Sequence, residues 1–287
     1  MTTHNNDIKS SAKDPDYSAP EVFRKMHESG CFIIPNPWDI GSAVYLHHLG
    51  FKALATTSAG FAFSRGLPDS VKALSLDAVL AHIREIAAAT PLPVNADFQS
   101  GYADDPEGVA KNVMLCVRTG TAGLSIEDAT GDPSNPLYER SKAVERIRAA
   151  RAAIDATKIP VVLTARCESW LVGDGNAGHT ALDRLVVYAD AGADCLFAPG
   201  VLEPEMISAI VKAVAPKPVN VLISSAVPGL TLARLADLGV RRVSVGSALA
   251  RTAWTGFIRS AKNIAETGTF DSLKDAVPFS DLNSIFT

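Results

Sequence analysis

The sequence predicts a single (β/α)8 barrel. Three observations predict it: eight short apolar runs without strict apolar–polar alternation, longer amphipathic stretches between them, and glycine at several junctions from stretch to run. Runs that lack alternation suit strands buried on both faces. Strands alternating with helices give a parallel sheet, and a count of eight favours closure into a barrel. The rival is an open, doubly wound sheet. No glycine-rich dinucleotide or phosphate-loop pattern is read after any of the runs, which counts against it.

The runs, in order, are 31–35 (CFIIP), 53–57 (ALATT), 93–97 (PVNAD), 123–128 (GLSIED), 161–166 (VVLTAR), 195–199 (CLFAP), 218–222 (PVNVL) and 242–246 (RVSVG). Helical stretches are expected over 76–89, 106–118, 143–156, 180–191 and 204–214. Glycine precedes the fourth, sixth and eighth runs closely, in TGTAG, AGAD and LGV. It is the usual helix stop because it accepts a left-handed backbone at low cost. A last helix is expected over about 249–265. The tail beyond it carries Phe270, Leu273, Phe279, Leu282, Ile285 and Phe286, so it should pack on its own barrel or on a neighbouring subunit. The polar residues 1–20 read as a flexible lead-in, and 21–287 as one barrel domain with a helical tail.

Composition narrows the function classes. The chain has 287 residues, 47% hydrophobic and 20% charged, with a formal net charge of −4. That suits one large domain. No strongly basic stretch argues for nucleic acid or an anionic membrane as partner. No apolar run reaches the length of about 18 residues expected of a membrane span, and the N-terminus lacks the apolar core of a signal peptide. Cys31, Cys116, Cys167 and Cys195 are widely spaced with no CxxC pair, as expected of free thiols in a reducing cytoplasm. Cys31, Cys116 and Cys195 read as packing residues.

Catalytic residues of such a barrel lie at the C-terminal ends of the strands and in the loops that follow. The second run ends in Thr56-Thr57-Ser58-Ala59-Gly60, small residues that let backbone N–H groups approach an anion. The third ends in Asn95-Ala96-Asp97-Phe98-Gln99, the fourth in Glu127-Asp128, and the fifth in Arg166-Cys167-Glu168; Asn220 lies within the seventh. A single carboxylate at a strand end is more often a cap or loop hydrogen-bonder than a ligand. Three successive strands ending in acids, with an arginine among them, require compensation, either by a hard cation or by an arginine–carboxylate network alone. Magnesium fits best, with manganese as a substitute, and no pattern points to zinc.

These segments resemble the isocitrate lyase/phosphoenolpyruvate mutase superfamily over roughly residues 23–268. The likeness rests on NPWDIGSAVYLHHLGFKALATTSAG (36–60), LPD (67–69), NADFQSGYADDP (95–106), SIED (125–128) and TARCE (164–168), in order along successive strands. It implies a magnesium enzyme acting beside a keto or enol group of a small di- or tricarboxylate or a phosphonopyruvate-like compound. It also implies a homo-oligomer, tetramer or dimer, with the last barrel helix exchanged between subunits. By position, Ser58, Ala59 and Gly60 would hold a substrate carboxylate, Asp97 would contact the metal, and Glu127 would hold it through water. Arg166 would clamp substrate oxygens. Asp69, Trp38 and Asp39 would line the site, with Asn220 on the substrate and Glu168 and Tyr138 as further catalytic candidates.

Two departures stand out. Gln99 replaces the second acid of the family's Asp-x-Asp pattern, so it would reach the metal through water and bind it less strongly. The isocitrate and methylisocitrate lyases carry Lys-Lys-Cys-Gly-His after the fourth strand, where cysteine is the acid; here residues 129–138 read ATGDPSNPLY. That segment reads as a lid from which Asp132, Asn135 or Tyr138 could reach substrate. The resulting expectation is a lyase that cleaves a carbon–carbon bond of a 2-oxo or 2-hydroxy acid through an enolate. The acids in view are oxaloacetate-, methylisocitrate- or dimethylmalate-like. Carbon–phosphorus chemistry on a phosphonopyruvate-type compound is one alternative. A non-catalytic keto-acid binding protein is the other.

Overall fold

A computed structural model describes residues 18–70 and 73–286. In chain order the elements are α1 (Ala19–Met26), β1 (Phe32–Ile34), α2 (Ile40–His48), β2 (Leu54–Ala55), α3 (Ser58–Ser64), α4 (Leu76–Ala89), β3 (Val94–Asp97) and α5 (Pro106–Val117). Then come β4 (Gly123–Glu127), α6 (Arg140–Thr157), β5 (Val162–Arg166), α7 (Ala177–Asp190), β6 (Cys195–Phe197), α8 (Pro204–Val214), β7 (Val219–Leu222), α9 (Leu232–Asp237) and β8 (Arg242–Ser244). The chain ends with α10 (Ala248–Thr267), a 3-10 turn and α11 (Phe279–Phe286).

All eight expected runs form strands. They pair in parallel in the order β1-β8-β7-β6-β5-β4-β3-β2. The remaining gap is bridged where Ala55 N–H donates to Pro35 O at 3.0 Å, so the sheet curls into a (β/α)8 barrel. Helices α4 and α8 have the bounds read from the sequence, whereas α6 starts three residues earlier, at Arg140. Side-chain caps set several starts: Asp105 accepts from Gly108 N at 2.7 Å, and Asp39 and Ser42 form a reciprocal box.

Two expectations change in detail. Of the lead-in expected over residues 1–20, 1–17 lie outside the described residues, but Ala19 and Pro20 already belong to α1. Proline is tolerated in a first helical turn because the N–H it lacks has no partner there anyway. The loop before α7 spells a GxGxxG pattern from Gly173 to Gly178, at some distance from β5. Its Asp174 accepts from Asn176 N at 2.9 Å and Thr180 Oγ1 at 2.5 Å, so the turn is held by a carboxylate of its own.

Barrel interiors are usually filled by bulky branched residues. This one is polar. Asn95, Ser125, Thr164, Asn220, Arg242 and Ser244 are all buried on the strands. The apolar core lies between strands and helices instead, with Leu124, Leu163, Leu196 and Val221 fully covered. Helix α1 closes the N-terminal end. Phe23 is fully buried, its ring edge-on to His27 at 4.7 Å, and His27 Nδ1 lies 2.7 Å from Phe23 O. His27 Nε2 faces Arg242 Nη1 at 3.2 Å, so the ring donates to the carbonyl and accepts from the guanidinium, which requires neutral imidazole. Burial, then Arg242, brings its pKa down to about 3.

The apolar tail is only partly accommodated. Helix α11 rests on α2 of its own barrel. In α10 only Ala250 is buried, while Trp254, Phe257 and Ile258 are exposed. Among the described residues no helix is long and apolar enough to cross a membrane.

Because the folded state depresses the His27 pKa, its contribution is complete above about pH 6.5 and is lost as pH falls toward about 3. Denaturant titrations of wild type and His27→Gln at pH 7 and pH 4.5 should show wild type losing about 2 kcal/mol more than the variant over that interval.

Candidate active site

A cavity of ≈ 410 Å³ opens at the C-terminal ends of the strands. Asp69, Asp97, Arg166, Ser58 and Ala59 line its upper part, and Asn220, Arg242 and Ser244 line it from the strands. Strand pairing sets Asp97 level with Ser125, and Glu127 level with Arg166. The acids of three neighbouring strands are thereby brought around one guanidinium.

Arg166 is the centre of that group. Its Nη1 lies 3.2 Å from Asp97 Oδ1 and 3.2 Å from Glu127 Oε2. Glu168 takes the other edge of the fork, accepting from Nε and, at 3.1 Å, from Nη2. The Phe197 ring lies under the guanidinium, 5.4 Å from its carbon. Three carboxylates surround one cation, and Glu127 and Glu168 are buried. Burial raises the Glu127 pKa most, Arg166 opposes, and the neighbouring carboxylates push it further up. Glu168 is raised for the same reasons. At the exposed rim, loss of solvent and then Asp97 raise Asp69.

This excess of buried negative charge fits a hard cation better than it fits a closed ion-pair network. Among the described residues no group of three Asp, Glu, His or Cys side chains forms a ready metal cage. Asp97 and Glu127 are the carboxylates beside Arg166 that could hold such a cation.

The supports of the cluster are also charged. Asp128 is buried; it accepts from Glu168 N at 2.8 Å, Tyr188 Oη at 2.6 Å and Arg184 Nη1 at 3.1 Å. Arg146, on α6 and almost fully buried, donates to the carbonyls of Ser100, Ala103 and Asp104 and stacks 4.1 Å from the Tyr138 ring. It thus holds the turn after β3, where Gln99 and Tyr102 adopt φ of 44° and 55°. A side chain in that left-handed region costs about 1–3 kcal/mol and persists where its surroundings enforce it. Gln99 O in return accepts from Glu127 N at 2.9 Å, which ties the turn to the end of β4.

Several sequence candidates are placed elsewhere. Gln99 Oε1 accepts from Tyr102 Oη at 2.8 Å and the residue is buried outside the cavity, so its side chain is engaged within its own turn. Tyr138 is turned to Asp104 Oδ1 at 2.5 Å and sandwiched with Arg146, away from the cavity. Trp38 packs beside Gly60 and α10. Of the three amides assigned to a substrate carboxylate, Ser58 N already donates to Asp97 Oδ2 at 2.9 Å and Gly60 N to Thr57 Oγ1 at 3.2 Å. Residues 129–138 form a small hairpin closed by an Ala129–Leu137 bridge, with Asp132 accepting from Ser134 N. Cys167 is buried and its thiol is pushed up by burial and Asp128, which makes it a poor acid at neutral pH.

Two arginines of the cavity escaped the sequence reading. Arg251, in the first turn of α10, donates to Ser224 O at 2.5 Å and lines the mouth. Arg242 lines the cavity from the start of β8. The signal for Arg242 was the run Arg242-Val243-Ser244-Val245-Gly246, whose alternate residues face inward; no pattern in the sequence marked Arg251.

The family profile described as phosphoenolpyruvate phosphomutase matches residues 23–265. A crystal structure of a lyase/mutase candidate from Burkholderia cenocepacia J2315 is 48% identical, covers 94% of this chain and 95% of its own, and superposes with a TM-score of 0.89. A functionally uncharacterised Mycobacterium tuberculosis protein (strain H37Rv) is 32% identical over 91% of this chain and 95% of its own. The structure of 2,3-dimethylmalate lyase is 25% identical over 95% of both chains, with a TM-score of 0.84. Shorter overlaps, 60% and 52% of this chain, relate it to 2-methylisocitrate lyase of Salmonella typhimurium strain LT2 and oxaloacetate decarboxylase of Rhodopseudomonas palustris strain BisB5, covering 60% and 50% of those proteins at 35% and 33% identity. With the barrel and the strand-end acids, these matches show that the chain belongs to the phosphoenolpyruvate phosphomutase family, within the isocitrate lyase/phosphoenolpyruvate mutase superfamily of lyases and mutases.

Proposed function

We propose that the protein is a magnesium-dependent lyase that cleaves a carbon–carbon bond of a small 2-oxo or 2-hydroxy di- or tricarboxylic acid. The observation that carries this reading is the set Asp97, Glu127 and Glu168 around Arg166, an acid-rich cluster whose Asp97 and Arg166 line a cavity sized for a small molecule while Glu127 and Glu168 stand behind them. The activities borne by relatives, dimethylmalate lyase and oxaloacetate decarboxylase among them, support it.

A bound magnesium ion would supply Lewis-acid polarisation of the oxygen beside the substrate carboxylate. The protein's own residues do the rest. Asp97 and Glu127 would hold that cation. The guanidinium, anchored on its other edge by Glu168, would then offer Nη1 to a substrate oxygen that gains charge as the bond breaks. A planar fork held on one edge by a carboxylate is well suited to this, since its orientation is fixed before substrate arrives. Asp69, raised by its surroundings, stands at the rim as a group able to exchange a proton with substrate. Tyr138 serves the loop instead, being bonded to Asp104.

Decarboxylation of a 3-carboxylated 2-oxo acid makes the fewest demands, because it requires no acid to finish the cleavage step itself. The match to the phosphomutase profile favours carbon–phosphorus chemistry as a second reading, discriminated by conversion of phosphonopyruvate to phosphoenolpyruvate for a mutase or by release of phosphate for a hydrolase. The assembly proposed is a homo-oligomer in which the exposed Trp254, Phe257 and Ile258 of α10 are covered by a neighbouring subunit.

Oxaloacetate, methylisocitrate, isocitrate, dimethylmalate and phosphonopyruvate, each assayed with magnesium, should include at least one that is cleaved at a carbon–carbon bond. Absence of turnover with all five, while calorimetry shows metal bound, contradicts the lyase reading. On the substrate that turns over, Asp97→Ala should lower kcat/KM by about 100-fold or more, roughly 3 kcal/mol of transition-state stabilisation. Light scattering should show Phe257→Asp shifted toward monomer if α10 is covered between subunits; an unchanged mass would remove that helix from the interface.

A further inference from the structure

Arg242 is a cation without an anion. It is 1% exposed, yet it lines the cavity. Its donors go to neutral acceptors only: Nε to Asn220 Oδ1 at 2.9 Å, Nη2 to Thr164 Oγ1 at 2.9 Å and Nη1 to His27 Nε2 at 3.2 Å. Among the described residues no carboxylate forms an ion pair with it, and burial alone dominates the lowering of its pKa. Arg166 is the opposite case, already surrounded by three acids. A buried charge is costly unless it is paired, and the cost is retained where a ligand supplies the partner.

The position of the charge is defined by the strands. Thr164 and Arg166 are two residues apart on β5, and Arg242 reaches Thr164. At a rise of about 3.3 Å per residue, Thr164 sits about 6–7 Å below Arg166 along the strand. Ser125 and Asn95, on β4 and β3, line the same cavity, and Asn95 Oδ1 is buried without a hydrogen-bond partner. Among its apolar lining residues, Ile34, Ala55 and Phe197 included, the cavity thus carries polar groups from mouth to floor, with acids above and an unneutralised guanidinium below.

We propose that Arg242, with Asn220, is the floor of the substrate site and binds the second acidic group of a short diacid. Resting on the function proposed above, this makes Arg242 a specificity-determining residue: it selects a dianion over a monoanion of similar size. Arg242 also anchors α1 through His27, so loss of stability alone does not distinguish the two roles. The ratio of diacid to monoacid binding does.

The test is calorimetric binding of malonate, succinate, acetate and inorganic phosphate to magnesium-saturated protein, for wild type, Arg242→Met and Ser125→Leu. Ser125→Leu leaves the guanidinium in place and fills space above it, so it carries the test if Arg242→Met does not fold. Malonate or succinate should bind wild type at least about tenfold more tightly than acetate, and either variant should abolish that preference. The proposal is overturned if the preference survives in the folded variants, or if wild type shows none. Loss of phosphate binding with diacid binding unchanged would mark a site for free inorganic anion and would also overturn it. Binding as expected with no turnover of any diacid would leave the floor assigned and reject the lyase reading, so the two failures are separable.

Discussion

Compensation of buried charge is the constraint on which the rest of this structure depends. Four strands deliver ionised side chains into a barrel that most proteins fill with hydrocarbon. Removing one partner from such a group strands the others in low dielectric, which costs about 3–5 kcal/mol. The molecule meets this constraint in layers. Glu168 orients Arg166, Asp128 holds the Glu168 amide, and Arg184 and Tyr188 hold Asp128. On the other flank Arg146 pins the turn after β3, and that turn holds the end of β4. The strained backbone of Gln99 and Tyr102 belongs to this frame, as residues held where the local preference alone would not place them.

The frame has a functional corollary. Acids in excess over bases at the mouth, and a base without an acid at the floor, polarise the cavity along the barrel axis. On the function proposed above, a small diacid would meet a bound metal at its upper end and the Arg242 guanidinium at its lower one. The N-terminal closure by Phe23 and His27 belongs to the same arrangement, because it keeps water from the guanidinium without neutralising it.

The barrel was legible in the sequence because its signal is redundant. Eight apolar runs and their crossover stretches each carry the pattern, and an error of a residue or two at an end leaves the topology intact. The short helices α2, α3 and α9 were not legible, since six to nine residues hold barely two turns of periodicity. Within the site, Asp97, Glu127 and Arg166 could be found from their place at strand ends. Which groups pair could not, because pairing depends on register between strands distant in sequence. Tyr138 and Gln99 show the limit: Tyr138 is claimed by Asp104 from the loop after β3, and Gln99 by Tyr102 within its own turn. Arg242 escaped for a different reason. It starts its strand, and attention to the catalytic face passes over residues at the opposite end, although a long side chain spans the difference.

The central claim is that the acids around Arg166 are a divalent-metal site facing a diacid. Crystals grown with manganese and malonate, with anomalous data collected at the manganese edge, test it most directly. The account predicts a manganese peak beside Asp97, with Glu127 at water-mediated distance and Arg166 withdrawn from Asp97. A map with no anomalous peak at saturating manganese, and Arg166 still paired to both acids, would contradict it.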